Sequence, residues 1–248
     1  MILTVIGCAG SFPNAQSPAS CYLLEQDGVR ILLDLGNGAL GALQQHIELD
    51  WPDALAAVVL SHCHVDHCVD LASLYVQRRY APAPPAQRLL VLGPSEADRR
   101  LAAIYGTDPA TIGADLDIQS IAGVTQVGPF TIEAVRANHP VEAYSVRVSA
   151  GGRSLTYSGD TGPTDALAAL ATDTDVALFE ASFVGTGNPE HLHLSGADAG
   201  RIAARAGAQR LLLTHLVAWN DDAVVLAEAR MAFTGPVELA WAGMTLTV

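Results

Sequence analysis

Ala57-Val-Val-Leu-Ser-His-Cys-His-Val-Asp-His67 is the stretch on which the fold turns. Its opening residues are apolar and β-prone, the mark of a buried strand, and its end carries His62, His64, Asp66 and His67. Alternate residues of an extended chain share a face, so a strand end can point His62 and His64 to one side. Asp66 and His67 then lie where a helix predicted over Asp66–Tyr80 begins. A lone histidine on a strand is ordinarily a satisfied structural residue. Imidazoles and a carboxylate this dense are instead a ligand set suited to Zn2+, Mn2+ or Fe.

Outward from this stretch, strand-like runs recur at Leu3–Ile6, Tyr22–Glu25, Val29–Asp34, Leu89–Leu92, Phe130–Arg136, Tyr144–Val148, Ser154–Ser158, Val176–Glu180 and Arg210–Thr214. Helical patterns cover Pro163–Ala171, Ala197–Ala206 and Asp221–Phe233. Strands and helices occur in both halves, which predicts two mixed sheets packed face to face with helices on the outside. At 248 residues, half of them hydrophobic, the chain supports one α/β domain spanning positions 1–248. Ala81-Pro-Ala-Pro-Pro85 is too short for a linker and is expected to be a surface loop. No run reaches the ~18 apolar residues of a bilayer span, so no membrane partner is expected. Met1–Gly7 has no charged leader and is predicted to be a first strand, which places the protein in the cytoplasm.

The net charge is −13 and every basic residue is an arginine, because the chain contains no lysine. Lysine chemistry is thereby excluded, and a partner as anionic as a long nucleic acid is disfavoured. Cys8, Cys21, Cys63 and Cys68 lack CxxC spacing and are expected to be buried thiols in a reducing compartment. Cys63 and Cys68, inside the histidine cluster, have the alternative of soft spectators near a metal.

Three further segments place ligand-type residues after predicted strands: Asn138-His139-Pro140, Ser158-Gly-Asp160-Thr-Gly162 and Thr214-His215. Taken singly, His139 and His215 are core or surface histidines, and Asp160 is a cap or Asx-turn residue. Taken with the HxHxDH cluster, they resemble the metallo-β-lactamase superfamily along nearly the whole chain. That resemblance implies a four-layer αββα sandwich (α/β, or α+β in some schemes) and a site for two divalent metal ions, Zn2+ foremost, with Mn2+ or Fe as alternatives. It implies His62, His64 and His139 on one metal, Asp66, His67 and His215 on the other, and Asp160 bridging them. Two cations sharing a carboxylate lower the pKa of bound water towards neutrality and stabilise charge on a phosphoryl or acyl oxygen.

Ala177-Leu-Phe-Glu180-Ala-Ser-Phe183 and His191-Leu-His193-Leu-Ser-Gly-Ala197 look like motifs of the ribonuclease Z-like phosphodiesterases. The resemblance implies that His193 protonates the leaving oxygen and that Glu180 orients it, so Asp66, His193 and Glu180 join the residues expected to carry chemistry. An alkoxide leaves poorly without such an acid. The structural alternatives are an arginine-paired Glu180 and a His193 that merely precedes the helix cap candidate Ser195. His46 and His191 fall outside every motif. Only 21 positions separate His139 from Asp160, too few for the arm with which ribonuclease Z grips transfer RNA.

Gly7–Ser11, Ser17–Ser20, Gly38–Leu43, Tyr157–Gly162 and His191–Gly196 resemble compact, armless actinobacterial members of this branch, among them an atypical class II cyclic AMP phosphodiesterase. The implied substrate is a small phosphodiester such as 3′,5′-cyclic AMP. A thioester, lactone or lactam hydrolase on the same fold, and a non-catalytic metal- or nucleotide-binding protein, are the competing expectations. The Gly7–Ser11 loop either wraps a phosphate or relieves a turn. Trp219 and Asn220 are candidates for lining the site, and a homodimer is compatible with the family.

Overall fold

The computed structural model describes residues 1–47, 54–82 and 87–248. In the first half, strands β1 (Ile2–Gly7), β2 (Cys21–Gln26) and β3 (Val29–Leu33) form a meander. Helix α1 (Ala39–Leu43), β4 (Ala57–Val59), α2 (Val65–Cys68), α3 (Asp70–Tyr80), β5 (Leu89–Gly93), α4 (Ala97–Tyr105), α5 (Pro109–Ile112) and β6 (Leu116–Ser120) follow. The second half contains β7 (Gly123–Val127), β8 (Phe130–Arg136), β9 (Tyr144–Ala150), β10 (Arg153–Tyr157), α6 (Asp165–Leu170), β11 (Val176–Glu180), α7 (Gly196–Ala206), β12 (Leu211–Thr214), α8 (Asp222–Ala232) and β13 (Val237–Leu239). The last strand, β14 (Thr245–Thr247), returns to pair with β1.

Two seven-stranded mixed sheets result, ordered β14-β1-β2-β3-β4-β5-β6 and β13-β12-β11-β10-β9-β8-β7. Inward residues of both, among them Val5, Tyr22, Leu24, Phe130, Val146, Leu155 and Tyr157, form the shared core. The opposite face of the first sheet packs on a second cluster that includes Leu71, Leu74, Tyr75 and Leu101. That of the second sheet packs on Leu167, Ile202, Ala203, Val225 and Ala229. This is the expected αββα sandwich, and the alternation of inward and outward residues along each strand is what divides the apolar side chains between layers.

Strands β6, β7, β13 and β14 are not foretold by the sequence pattern, and all four are sheet edges. Each buries little, as the largely exposed Gly123–Val127 shows, so selection for an apolar face is weak there. The helix predicted over Asp66–Tyr80 is two helices broken at Val69. The cause is local: the Leu35 N–H donates to the His67 carbonyl and the Asp70 N–H to the Leu35 carbonyl, diverting bonds from the helical ladder. Gly36 passes so close to the Asp66 carbonyl that any β-carbon there would collide with it. Of the Pro-rich loop, only Ala81 and Pro82 lie within the described residues. All four cysteines are buried and free, and among the described residues no helix is long and apolar enough to cross a membrane.

Candidate metal centre

The ends of β4, β8, β10, β11 and β12 converge at one rim of the sandwich. The β4–α2 loop supplies His62, His64, Asp66 and His67; His139 follows β8, Asp160 follows β10, Glu180 ends β11, and His215 follows β12. The fold therefore brings every ligand candidate of the sequence together, in two groups. His62, His64, His139 and Asp160 form one and Asp66, His67, Asp160 and His215 the other, each with ligand atoms within 4.8 Å of one another.

Distances within the groups are short. His62 Nε2 lies 2.9 Å from His64 Nδ1, which is 3.3 Å from His139 Nε2. His67 Nε2 lies 3.2 Å from His215 Nε2, which is 3.1 Å from Asp66 Oδ2. Asp160 faces both: Oδ1 is 3.2 Å from His67 Nε2 and 3.4 Å from His215 Nε2, while Oδ2 is 3.7 Å from His62 Nε2.

Asp34, which the sequence did not single out, orders the protons. Fully buried at the end of β3, it accepts hydrogen bonds from the Ser61 N–H (2.6 Å) and hydroxyl (2.7 Å), the Tyr157 hydroxyl (2.7 Å) and His67 Nδ1 (2.7 Å). The Ser61 hydroxyl, having donated to Asp34, accepts from His62 Nδ1 at 3.0 Å. The Ser182 hydroxyl donates to Glu180 Oε2 (2.8 Å) and accepts from His215 Nδ1 (2.7 Å). His139 Nδ1 donates to the Leu192 carbonyl (2.9 Å). Assigned from this network, the outward nitrogen of each of these four rings carries the proton, and the inward Nε2 presents a lone pair. Such outer partners fix both tautomer and ring orientation. The only prior signal for Asp34 was a carboxylate ending an apolar strand.

Lone pairs facing one another at these distances, around a buried Asp160 Oδ1 that has no hydrogen-bond partner, fit a cation. The electrostatics agree. Burial, and then the neighbouring His67, hold the His62 pKa well below the ordinary histidine value. Burial also lowers those of His64 and His139. At His67 the balance runs the other way: burial is outweighed by the Asp160 and Asp34 carboxylates, which without a cation draw a second proton onto the ring, at the Nε2 that faces Asp160. Burial of Asp160 is likewise outweighed by His215, His67 and His62, which hold its carboxyl far below the usual range. Cations bound there would displace such protons. Cys63 and Cys68 belong to neither group, and a hydrogen bond with Cys68, reinforced by burial, pushes the Cys63 thiol up.

Backbone conformation marks the same place. Ser11, Asp34 and His215 adopt positive φ (65°, 59° and 53°), each at a cost of about 1–3 kcal/mol that the surroundings must offset. Gly10 runs against the His215 carbonyl with no room for a β-carbon, so its glycine serves close backbone approach.

His193 stands beside both groups. Its ring stacks on His215 at 5.6 Å and 28° and lies 5.6 Å from His139. Its Nδ1 donates to Glu180 Oε1 at 3.0 Å, and Glu180, fully buried, also accepts from the Thr161 N–H at 2.8 Å. Burial works against protonation of His193, yet the Glu180 carboxylate prevails and raises its pKa to about 9. The arginine-paired alternative for Glu180 is not what is found. A cavity of about 490 Å3 opens at His193, lined by Asn138, Thr186, Asn188 and Glu190. His46 and His191 are exposed and lie in neither ligand group.

Residues 29–216 match the family model of the Beta-lactamase superfamily domain. The chain belongs to the beta-lactamase superfamily. Its superfamily relatives include an uncharacterized protein of Mycobacterium tuberculosis, 43% identical over 245 residues, covering 95% of this chain and 88% of the other. The probable metallo-hydrolase YhfI of Bacillus subtilis is 30% identical over 263 residues, 98% of each chain. The crystal structure of YhfI, a metallo-beta-lactamase fold protein, superposes with a TM-score of 0.87 at 29% identity over 99% of each chain. Ribonuclease Z of Salinispora arenicola is 28% identical over 302 residues, covering 99% of this chain and 96% of its own. The ribonuclease Z-like resemblance carried by the motifs is borne out.

Proposed function

We propose that the protein is a metal-dependent phosphodiesterase that hydrolyses a small phosphodiester such as 3′,5′-cyclic AMP, with His193 as general acid. The observation that carries this is the His193–Glu180 pair. A buried carboxylate 3.0 Å from Nδ1 keeps the imidazole protonated at neutral pH, and the ring borders both ligand groups.

Two divalent cations, with Zn2+ the foremost candidate, are proposed to be held by His62, His64 and His139 and by Asp66, His67 and His215, with one oxygen of Asp160 turned to each group. When bound they supply an activated water and offset the charge of the phosphoryl oxygens. The protein's own part is positional and acidic. Asp34, Ser61 and Ser182 hold the imidazoles with their lone pairs inward. Glu180 holds the His193 proton, and His193 delivers it to the departing alkoxide, a step worth typically ~10²–10⁴ in rate. The cavity beside His193 receives the leaving alcohol and has the size of a small-ligand site. Ribonuclease Z among the relatives supports phosphodiester chemistry, whereas the 21-residue interval after His139 and the net charge of −13 favour a small substrate over transfer RNA.

A turnover screen of 3′,5′-cyclic nucleotides, linear dinucleotides, thioesters and lactones, with metal content measured on the same sample, tests this. Hydrolysis of a cyclic nucleotide or another small phosphodiester is expected. A fully metallated preparation that turns over none of them contradicts the proposal, and thioester turnover alone would transfer the assignment to another ester class.

A further inference from the structure

Two large aromatic side chains stand exposed at the lip of the metal centre, where solubility alone gives no reason for them. Trp219 is 70% exposed and Phe12 42%. Their rings pack together at 5.6 Å and a 40° tilt although they come from opposite ends of the chain. Both loops are anchored to the centre. The Ser11 N–H, one residue before Phe12, points at His215 Nε2 from 3.4 Å. The Gly10 N–H donates to the Leu216 carbonyl (3.0 Å) and the Leu216 N–H to the Cys8 carbonyl (3.1 Å). Asn220 Nδ2, next to Trp219, donates to the carbonyl of Ser182 (2.8 Å), whose hydroxyl holds His215. The two loops that carry the rings are therefore tied to the ligand residues, and the indole packs against Phe12.

No hydrogen bond or ion pair described for the residues of the two ligand groups, or for His193 and Glu180, involves an arginine. No arginine is thus engaged with the ligand residues or the His193–Glu180 pair, and an uncharged face beside them is a natural place to read the organic part of an anionic substrate. Among the described residues, the cavity at His193 is lined mainly by small and polar side chains with no aromatic ring besides His193 itself, and its one guanidinium, Arg201, is engaged by Asp198, so it offers a flat base little to stack on. Trp219 does offer such a face.

We infer that Trp219, propped by Phe12, is the stacking platform for the nucleobase of a nucleoside phosphodiester whose phosphate sits at the metal centre. The inference rests on the phosphodiesterase proposal and adds the substrate class: a nucleotide rather than an aliphatic or sugar phosphodiester. Stacking on an aromatic side chain tolerates any base, because every base has a π face, and is typically worth roughly 5- to 150-fold in affinity.

The test is calorimetric titration of the metal-loaded protein with 5′-AMP and with ribose 5-phosphate, which share the phosphate and sugar and differ by the base. Wild type is expected to bind 5′-AMP about tenfold or more tightly than ribose 5-phosphate. In Trp219→Ala the ratio should fall to near one through weaker 5′-AMP binding alone, with ribose 5-phosphate binding unchanged, a selective loss that a merely structural role would not give, and in Trp219→Phe the ratio should largely return. Equal binding of the two probes by wild type, or a ratio unchanged in Trp219→Ala, overturns the inference. A Trp219→Ala protein that keeps the ratio but changes oligomeric state in sedimentation also overturns it, since the pair would then be a contact between copies. Bis(p-nitrophenyl) phosphate turnover by the same wild-type sample separates the two levels: its absence counts against the phosphodiesterase proposal, whereas loss of base discrimination alone counts only against the platform.

Discussion

The two ligand groups share Asp160 but are held to different standards. Asp66, His67 and His215 are all buried, and the outward nitrogens of both rings are fixed, one by the Asp34 carboxylate and the other by the Ser182 hydroxyl. In the other group His64 and His139 are only half-buried, and among the described residues no hydrogen bond is seen to His64 Nε2. Each group has two rings held from outside, His67 and His215 in one and His62 and His139 in the other, but the inner group is the more deeply buried and alone has a ring held by a carboxylate, Asp34. Since outer partners of this kind set metal affinity, the inner group is expected to bind its ion more tightly and the outer group to exchange it.

The largest effect should follow removal of what the groups share. Asp160→Ala is expected to strip metal from both and to lower turnover by at least about 10²–10³-fold, the scale of losing one principal charge-stabilising group. Near-wild-type metal content by mass spectrometry would break the comparison at its root. Next, competition titrations with a chelator should resolve a tight and a weak phase in wild type. His64→Ala should lose only the weak phase and His67→Ala the tight one; the opposite pattern would invert the ranking. Asp34→Asn should then weaken the tight phase by roughly 10- to 100-fold, leaving the weak phase nearly unchanged. It should also destabilise the fold by about 1–3 kcal/mol for each buried donor left unpaired, readable by denaturant unfolding.

The smallest effect concerns the acid. The Glu180 carboxylate raises the His193 pKa to about 9, so the protonated form is available below that pH and lost above it. Glu180→Gln removes the negative charge, favours the neutral ring, and should move the alkaline limb of the pH–rate profile to lower pH. An unmoved limb would show that Glu180 does not position the acid proton.

Legibility in the sequence followed the same contrast. His62 to His67 lie on one loop and declare themselves as a block, because a strand end and a helix start can aim four ligands without help from the rest of the chain. His139, Asp160 and His215 are single residues at separate strand ends, indistinguishable from structural ones until the frame of the first block is supplied. Asp34 was missed because it belongs to neither ligand group; its work, the proton order of His67 and Ser61, exists only once β3, β4 and β10 are side by side. Phe12 escaped for a similar reason, since a loop phenylalanine acquires meaning only by meeting Trp219 some 200 positions later. The four edge strands were missed for want of buried area.

Leaving-group dependence in His193→Ala tests the central claim most directly. With the metal content of the variant verified, its rate is measured on one phosphodiester that expels an alkoxide and one that expels p-nitrophenolate, which departs without a proton. The account predicts a loss of about 10²–10⁴-fold for the alkoxide and a far smaller loss for p-nitrophenolate. Equal losses on the two substrates would contradict it, because His193 would then be doing something other than protonating the leaving oxygen.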